Sequence, residues 1–251
     1  MAVRFDAATD ALSRGANFPD QSAVTVCGWA SRSGVGGGTL ETLFALRNNA
    51  FSQSLVLQHL VSSGQIRVGG TGTANIRAVP ANGVPFFWAL VGAGTGANQV
   101  TGYVRTFDEN AFTSATVTTG LITEETLELF NANLAGTQQP WNGLGWNVKC
   151  WNRALTAAEL LVESFYRAVK FSASVNFHYE LESAAAVYDI SSNVRDPTVG
   201  GTLTTEDGCQ FGMWRPRRHR FMQPAPPASR PSLRTSSGLL LETGAGQVIR
   251  L

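Results

Sequence analysis

Acid–base chemistry needs ionisable side chains that face each other, and the chain offers few such pairs. Glu180 and Glu182 flank Leu181, so a strand there places both carboxylates on one face. Asp108 and Glu109 form the other acidic pair. Two carboxylates facing each other across a sugar serve glycoside hydrolysis. Neither pair has a third acidic residue in strand alternation, so a solvated strand face is the plainer reading and no catalytic residue is assigned. His59, His178 and His219 contain no i, i+4 pair, and Cys27, Cys150 and Cys209 contain no Cys-x-x-Cys spacing. Zinc and thiol redox chemistry therefore have no support, and no metal or cofactor is expected. Cys27 and Cys150 read as small apolar strand residues, and spacing alone leaves a bridge between two cysteines open. Asp189, Asn193 and Asp196 gather oxygen atoms in one loop, which suits calcium, with Asx turns as the simpler reading. Val91-Gly92-Ala93-Gly94-Thr95-Gly96-Ala97 fits a nucleotide-binding glycine pattern. That motif needs a helix N-terminus next, and Gln99 to Val104 reads as a strand, so a hairpin loop is expected. Sugar binding uses aromatic platforms. Trp141, Trp146 and Trp151 recur at intervals of five, and Trp141 lies in a Pro-Trp-Asn-Gly context. Trp141 is the candidate for an exposed glycan contact. Trp146 and Trp151 have opposite parity, so a regular strand turns at most one of them to the core.

The elements that must position these residues are strands. The 251 residues are 43% hydrophobic and only 15% charged, a globular composition. Short β-prone runs recur at intervals of about ten residues, which argues for an all-β sandwich or barrel. They include Val24 to Trp29, Leu43 to Leu46, Ser54 to Leu60, Gln65 to Val68, Phe86 to Val91 and Gln99 to Arg105, with Gly- and Ser-rich segments between them. Val175, Phe177, Tyr179 and Leu181 alternate with polar residues in a further strand, and Val199 to Thr204 reads as another. One helix stands out. Thr156-Ala157-Ala158-Glu159 has capping-box spacing, and Leu160, Leu161, Phe165, Ala168 and Val169 follow at helical intervals. The expected helix spans about 156–169 and packs on the edge or end of the sandwich. A second short helix or turn is expected over Thr123 to Leu127. No apolar run approaches a membrane span, and none follows the N-terminal Met-Ala-Val-Arg-Phe-Asp, so neither a membrane partner nor a secretory leader is expected.

Composition shifts after residue 211. Residues 1–211 carry a net charge of −5, and residues 212–251 carry +6. Arg215, Arg217, Arg218 and Arg220 form a basic cluster ahead of a proline-rich spacer, Pro224 to Pro231. Leu239, Leu240, Leu241 and then Val248, Ile249 form two apolar strands around a Gly-rich turn. A hairpin this small is marginal alone and needs a partner sheet. These nine residues are the candidate assembly and anchoring set. The expected domains are a sandwich over 1–211 and a basic, Pro-rich tail over 212–251.

The segment from Gly145 to Leu160 contains Trp146-Asn147-Val148-Lys149-Cys150-Trp151-Asn152-Arg153-Ala154-Leu155-Thr156. It resembles the end of laminin-G-like, concanavalin-A-like jelly-roll domains, where a strand runs into Asn-Arg-Ala-Leu-(Ser/Thr)-x-x-Glu and a short helix. The resemblance covers residues 1 to about 170. The segment from Phe177 to Asn193 looks like one that the family often places before its first strand, so the order here is permuted. The implied fold is an all-β, concanavalin-A-like antiparallel β-sandwich (jelly roll) with one short helix and an extended C-terminal tail. The segment Leu239 to Gly244 resembles short terminal segments of tailed-phage structural proteins. Together the resemblances imply a non-enzymatic virion protein, either capsid decoration or fibre, in a homo-oligomer. Its expected partners are capsid or fibre subunits and a cell-surface glycan, with no direct nucleic-acid contact. A lectin-like carbohydrate-binding module is the alternative.

Overall fold

The computed structural model describes residues 1–15, 23–34, 38–48, 54–94, 96–119, 126–134, 137–185, 187–206, 240–242 and 248–250. The chain divides into two units, Met1–Phe211 and Gly212–Leu251. Unit 1 is an antiparallel β-sandwich of the jelly-roll class. Its first sheet runs β10 (Thr113–Thr119), β9 (Gly96–Thr106), β8 (Phe86–Gly92), β3 (Val24–Arg32), β14 (Gly143–Trp151), β1 (Ala2–Phe5) and β17 (Thr204–Glu206). A further strand, β15 (Val175–Tyr179), also pairs β14. The second sheet runs β16 (Thr198–Gly200), β2 (Ala11–Arg14), β11 (Thr126–Leu129), β4 (Leu40–Arg47), β5 (Ser54–Leu60), β6 (Gln65–Gly69) and β7 (Thr73–Ala78). A small ribbon pairs β12 (Asn133–Leu134) with β13 (Thr137–Gln138). In unit 2, β18 (Leu240–Glu242) and β19 (Val248–Arg250) form an antiparallel hairpin, with Leu241 opposite Ile249.

The Gly-rich run after Val91 is the turn between β8 and β9, which pair from Phe86↔Thr106 to Gly92↔Val100. The expected strand over Val199 to Thr204 is two short strands that return to the start of the chain. Val199 pairs Leu12, and Glu206 pairs Ala2. The first and last strands of unit 1 are therefore neighbours, which is the geometry that a permuted strand order requires. Thr126 and Leu127 belong to strand β11, so the expected turn over Thr123 to Leu127 does not extend into them, and its first three residues lie outside the described residues.

The interior forms where large side chains of one sheet meet glycines of the other. Phe130 stacks on Phe5 at 4.4 Å and meets Trp88 edge-on at 6.2 Å. A Cβ on Gly145 would lie 2.3 Å from the Phe130 ring. A Cβ on Gly102 would lie 2.6 Å from Ile76 Cδ1 and 2.9 Å from Val68 Cβ. Both glycines mark close approach of the sheets rather than turns.

The first sheet is also buried on its outer face at β3 and β14, where every residue of both strands is buried. Trp29 stacks on Trp146 there at 6.2 Å, and Phe87 meets Trp29 edge-on at 5.6 Å. Trp146 and Trp151 both lie on this face, contrary to simple alternation. The register with β3 slips one residue between Trp146 and Lys149, where Asn147 adopts φ 51°. This bulge resets the parity of everything after it. Cys27 faces outward opposite Lys149, whereas Cys150 faces inward opposite Val26, and neither is in a disulfide. Burial raises the Cys27 pKa, as expected for a packed, unreactive thiol.

Helix α1 (Ala157–Phe165) closes the outer face. Its capping box is formed: Glu159 N donates to Thr156 Oγ1 at 3.2 Å, and Thr156 N donates to Glu159 Oε2 at 2.8 Å. The helix ends at Phe165, short of the expected 169, and its buried residues are Leu160, Glu163 and Ser164 rather than the apolar stripe alone. Lys149 explains both departures. Its buried ammonium donates to Glu163 Oε2 at 2.7 Å, to Tyr166 O at 2.7 Å and to Ala168 O at 3.3 Å. The carbonyls after Phe165 thus serve a cation instead of another helical turn. Glu163 Oε1 accepts from Lys170 N at 2.7 Å and Phe171 N at 2.8 Å. Arg105, also buried, stands 4.5 Å from the Phe165 ring and fixes the last helical residue. Among the described residues no helix is long and apolar enough to cross a membrane.

Two predictions follow from this packing. Glu163→Ala strands a buried ammonium and should lower the unfolding free energy by about 3–5 kcal/mol in urea titration, whereas Lys149→Met with Glu163→Leu should recover much of that loss. The second concerns pH. Burial, and then the nearby Lys149 charge, lower His178 to about 4 from its ordinary 6.5. The unfolded chain then binds the extra proton between those values, so stability should fall as pH drops from 6.5 to about 4. Glu159 is held at about 2 by Arg153 and the cap, so its share is lost at still lower pH. Thermal melts of His178→Gln should flatten the upper window and leave the lower one in place.

Candidate functional site

Strand alternation turns Leu12, Phe44, Leu57 and Leu129 of the second sheet inward, and Ser13, Ala45, Val56 and Glu128 outward. The outer face carries the site. Phe130, with φ 59°, turns the chain out of β11, and residues 131–134 and 137–139 lie over this face. Ala132 packs on Ala45 and Val56. Gln139 N donates to Ala132 O at 2.9 Å and to Asn131 Oδ1 at 3.1 Å, and Thr42 N donates to Gln139 O at 3.0 Å. The crossing segment and the sheet enclose a pocket of about 260 Å³ whose polar lining includes Ser13, Arg47, Glu128, Asn131, Asn133 and Gln138.

A guanidinium–carboxylate fork forms one wall of the pocket. Arg47 Nε donates to Glu128 Oε2 and Nη2 to Glu128 Oε1, both at 3.0 Å. Glu128 Oε2 also accepts from Asn133 N at 3.2 Å. Asn131 Nδ2 donates to Ala8 O at 2.8 Å, which fixes its amide. Asn133 Oδ1 is buried with no hydrogen-bond partner among the described residues. The pocket thus offers rigid donors and acceptors with compensated charge. Both Glu128 oxygens are committed to the guanidinium, so the arrangement suits recognition of a polar, hydroxyl-rich ligand rather than proton transfer.

Trp141 does not reach any such surface. It is 0% exposed, and its ring meets Phe86 edge-on at 6.0 Å in the interior. The Asn-Gly that follows it does place it in a loop, but that loop is pinned inward by Trp141 N donating to Phe130 O at 2.9 Å. The expected glycan contact at Trp141 is therefore corrected to a core role. The tryptophans of both strands β3 and β14 are buried as well.

The acidic pairs are structural in this fold. Glu180 and Glu182 both bind Arg167, the second at 2.6 Å. Glu109 binds Arg77 at 2.7 Å, and Asp108 accepts from Thr106 Oγ1 at 2.6 Å. The Asp189 loop is a set of Asx turns. Asp189 Oδ1 accepts from His178 N and Ser191 N, and Oδ2 from Ser191 Oγ and Arg195 N, all at 2.8 Å. Asp196 Oδ1 accepts from Asp189 N at 2.7 Å. Among the described residues no group of three or more His, Cys, Asp or Glu is placed to hold a metal ion. Of the anchoring set, Leu240, Leu241, Val248 and Ile249 lie in the β18–β19 hairpin, whereas Arg215, Arg217, Arg218, Arg220 and Leu239 lie outside the described residues.

The pocket residues carried one sequence signal. Arg47 ends the apolar run Phe44 to Leu46, and Glu128 stands inside Leu127 to Leu129, charges of opposite sign on apolar strands. Charges in such places are paired when the strand is buried, but the run does not reveal which partner each takes.

No family model and no curated protein matches the chain. Solved structures do. Unit 1's fold is similar to a carbohydrate-binding protein, assigned as such provisionally, from Bacteroides ovatus ATCC 8483, at 14% identity and TM-score 0.57, over 82% of this chain and 60% of that one. It is similar to tailspike protein 2 of the Escherichia coli O157:H7 bacteriophage CAB120, at 16% identity and TM-score 0.53, over 71% of this chain and 26% of that one. It is also similar to the extracellular region of zebrafish Gpr126/Adgrg6, at 16% identity and TM-score 0.52, over 83% and 26%. The chain spans less than two thirds of each of these proteins. Identities this low establish the shared jelly-roll fold, which hosts many activities.

Because Trp141 is a core residue, Trp141→Ala should lower the unfolding free energy by about 3–5 kcal/mol, read in denaturant titration. A variant of unchanged stability would return the indole to the surface.

Proposed function

We propose that the chain is a non-enzymatic structural protein of a phage virion, as capsid decoration or fibre. Unit 1 is displayed outward and binds a neutral cell-surface glycan, and unit 2 anchors the protein to neighbouring virion subunits. The observation that carries the reading is the pocket over the second sheet. Its forked charge pair and fixed amides match vicinal hydroxyls, and its compensated charge favours a neutral ligand. The similarity of the fold to a carbohydrate-binding protein and to a phage tailspike supports the same reading. The non-enzymatic part is supported by the carboxylates of the acidic pairs and of the pocket, each engaged by a neighbouring guanidinium or hydroxyl. The anchoring part is supported by the β18–β19 hairpin, which is too small to be stable alone and completes itself by joining another sheet. Many copies on one particle make weak glycan binding effective through avidity.

A second reading, a carbohydrate-binding module outside any virion, rests on the same pocket and differs only in the anchor. The two separate by co-sedimentation. Full-length protein should bind particles lacking it saturably, and a chain ending at residue 211 should not. Binding by neither form selects the second reading. On a glycan array, the protein displayed multivalently should bind neutral glycans, and Asn133→Ala should weaken that binding by roughly tenfold, about the value of one buried hydrogen bond. Absence of all glycan binding would remove the pocket's proposed role.

A further inference from the structure

The edges of the two sheets are not equally protected. An edge strand exposes unpaired N–H and C=O groups, and proteins blunt such edges with short strands, charges, proline or bulges. Among the described residues β16, β17 and β7 follow that rule, and the outer side of β15 is covered by the Asp189 loop, where His178 N donates to Asp189 Oδ1 and Ile190 N to His178 O. β16 and β17 have three residues each. β7 carries Arg77, held by Glu109. β10 is different. It has seven residues, Thr-Ser-Ala-Thr-Val-Thr-Thr, with no charge and no proline. It pairs β9 from Thr113↔Val104 to Val117↔Val100, and among the described residues nothing pairs its other side.

β10 also lies close against β7 and β6 of the second sheet, and among the described residues the hydrogen bonds that close this edge are at its far end. Thr71 N and Thr71 Oγ1 both donate to Thr118 O at 3.0 Å, and the register slips between Val117 and Thr119. The open stretch is therefore Thr113 to Val117, about 17 Å of strand. Val117 is buried toward the interior, while Ser114 and Thr116 are exposed on the outer face. Threonine and valine are strong strand formers, so the stretch is already in the conformation that a new strand would pair with.

We propose that β10 is the contact by which two copies of this chain join their first sheets into one continuous antiparallel sheet. The occupant is a second copy because the strand suits its own image. An axis perpendicular to the sheet through Ala115 keeps outer faces on the same side. It pairs Ser114 of one copy with Thr116 of the other and brings Thr113 opposite Val117. These are hydroxyl and β-branched pairs with no like charges opposed, the kind that favour antiparallel pairing. Such an interface is isologous and closes after two subunits, so it gives a dimer rather than a fibre. The pairing is independent of what the outer pocket of the second sheet binds.

The test uses the full chain in sedimentation equilibrium across a dilution series. The wild type should show a reversible dimer. Ser114→Lys with Thr116→Lys sets lysines directly opposite each other on exposed positions, so it should weaken dimerisation by roughly tenfold or more while the thermal melt is kept. Ser114→Glu with Thr116→Glu should do the same. An equimolar mixture of the two double variants should dimerise again, because each lysine then meets a glutamate. Amide exchange at Thr113 to Val117 should slow as wild-type concentration rises. A monomeric wild type, lysine variants that dimerise as before, or a mixture that stays monomeric would each overturn the proposal, the last by pointing to an extended segment of another protein on this edge.

Discussion

The buried ion pair between Lys149 and Glu163 holds the outer layer of unit 1 in place. Removing both charges from water is costly, and the pair persists because nothing in it is left unpaired. The ammonium meets one carboxylate oxygen and the Tyr166 and Ala168 carbonyls, and the other carboxylate oxygen meets two backbone N–H groups. One of only two lysines in the chain thus fixes helix α1, the end of that helix, and the path of residues 166 to 171 over β14. That cover reaches Trp151, whose indole N–H donates to Phe171 O at 2.7 Å, and Trp29 and Trp146 are buried on the same face. A strand buried on both faces needs such a lid, because the core seals only one side of a sheet.

The same constraint decides which surfaces remain for function. The helix and its flanking segment occupy the first sheet's outer face around β14, while β10 at the far edge stays open and polar. The second sheet is covered differently. Residues 131–134 and 137–139 lie over its outer face as a polar strap and leave a pocket instead of a sealed layer. The difference lies in the residues beneath. Under the helix the sheet presents tryptophans and one lysine, which must be dried and paired. Under the strap it presents Ser13 beside Arg47 and Glu128, and the two charges are satisfied by one another and by Asn133 N above them.

Misassigned aromatic residues show how such a surface misleads a local reading. Trp141 stands in a Pro-Trp-Asn-Gly turn, a context that normally lies in solvent. In this fold the turn is folded inward, and its indole fills space beside Phe86. The pocket proposed for binding has no aromatic lining among the residues named above. Its polar lining is a serine, a charge pair and amides drawn from β2, β4, β11 and the strap.

Local periodicity determined the architecture. Alternating apolar residues, Gly-rich turns and the capping box at Thr156 each act within a few residues of chain, so they are legible without coordinates. Strands β3, β4, β5, β6, β8, β9 and β15, the β8–β9 hairpin and the start of α1 are in the predicted places for that reason. The tertiary structure decided the rest, because it depends on which strands become neighbours. The bulge at Asn147 reversed the parity of β14 and put two tryptophans on one face. Lys149 and Glu163 meet across 14 positions, and Arg47 and Glu128 across 81. No periodicity spans such distances. The pocket and the ion pair exist only once the sheet order has brought their halves together.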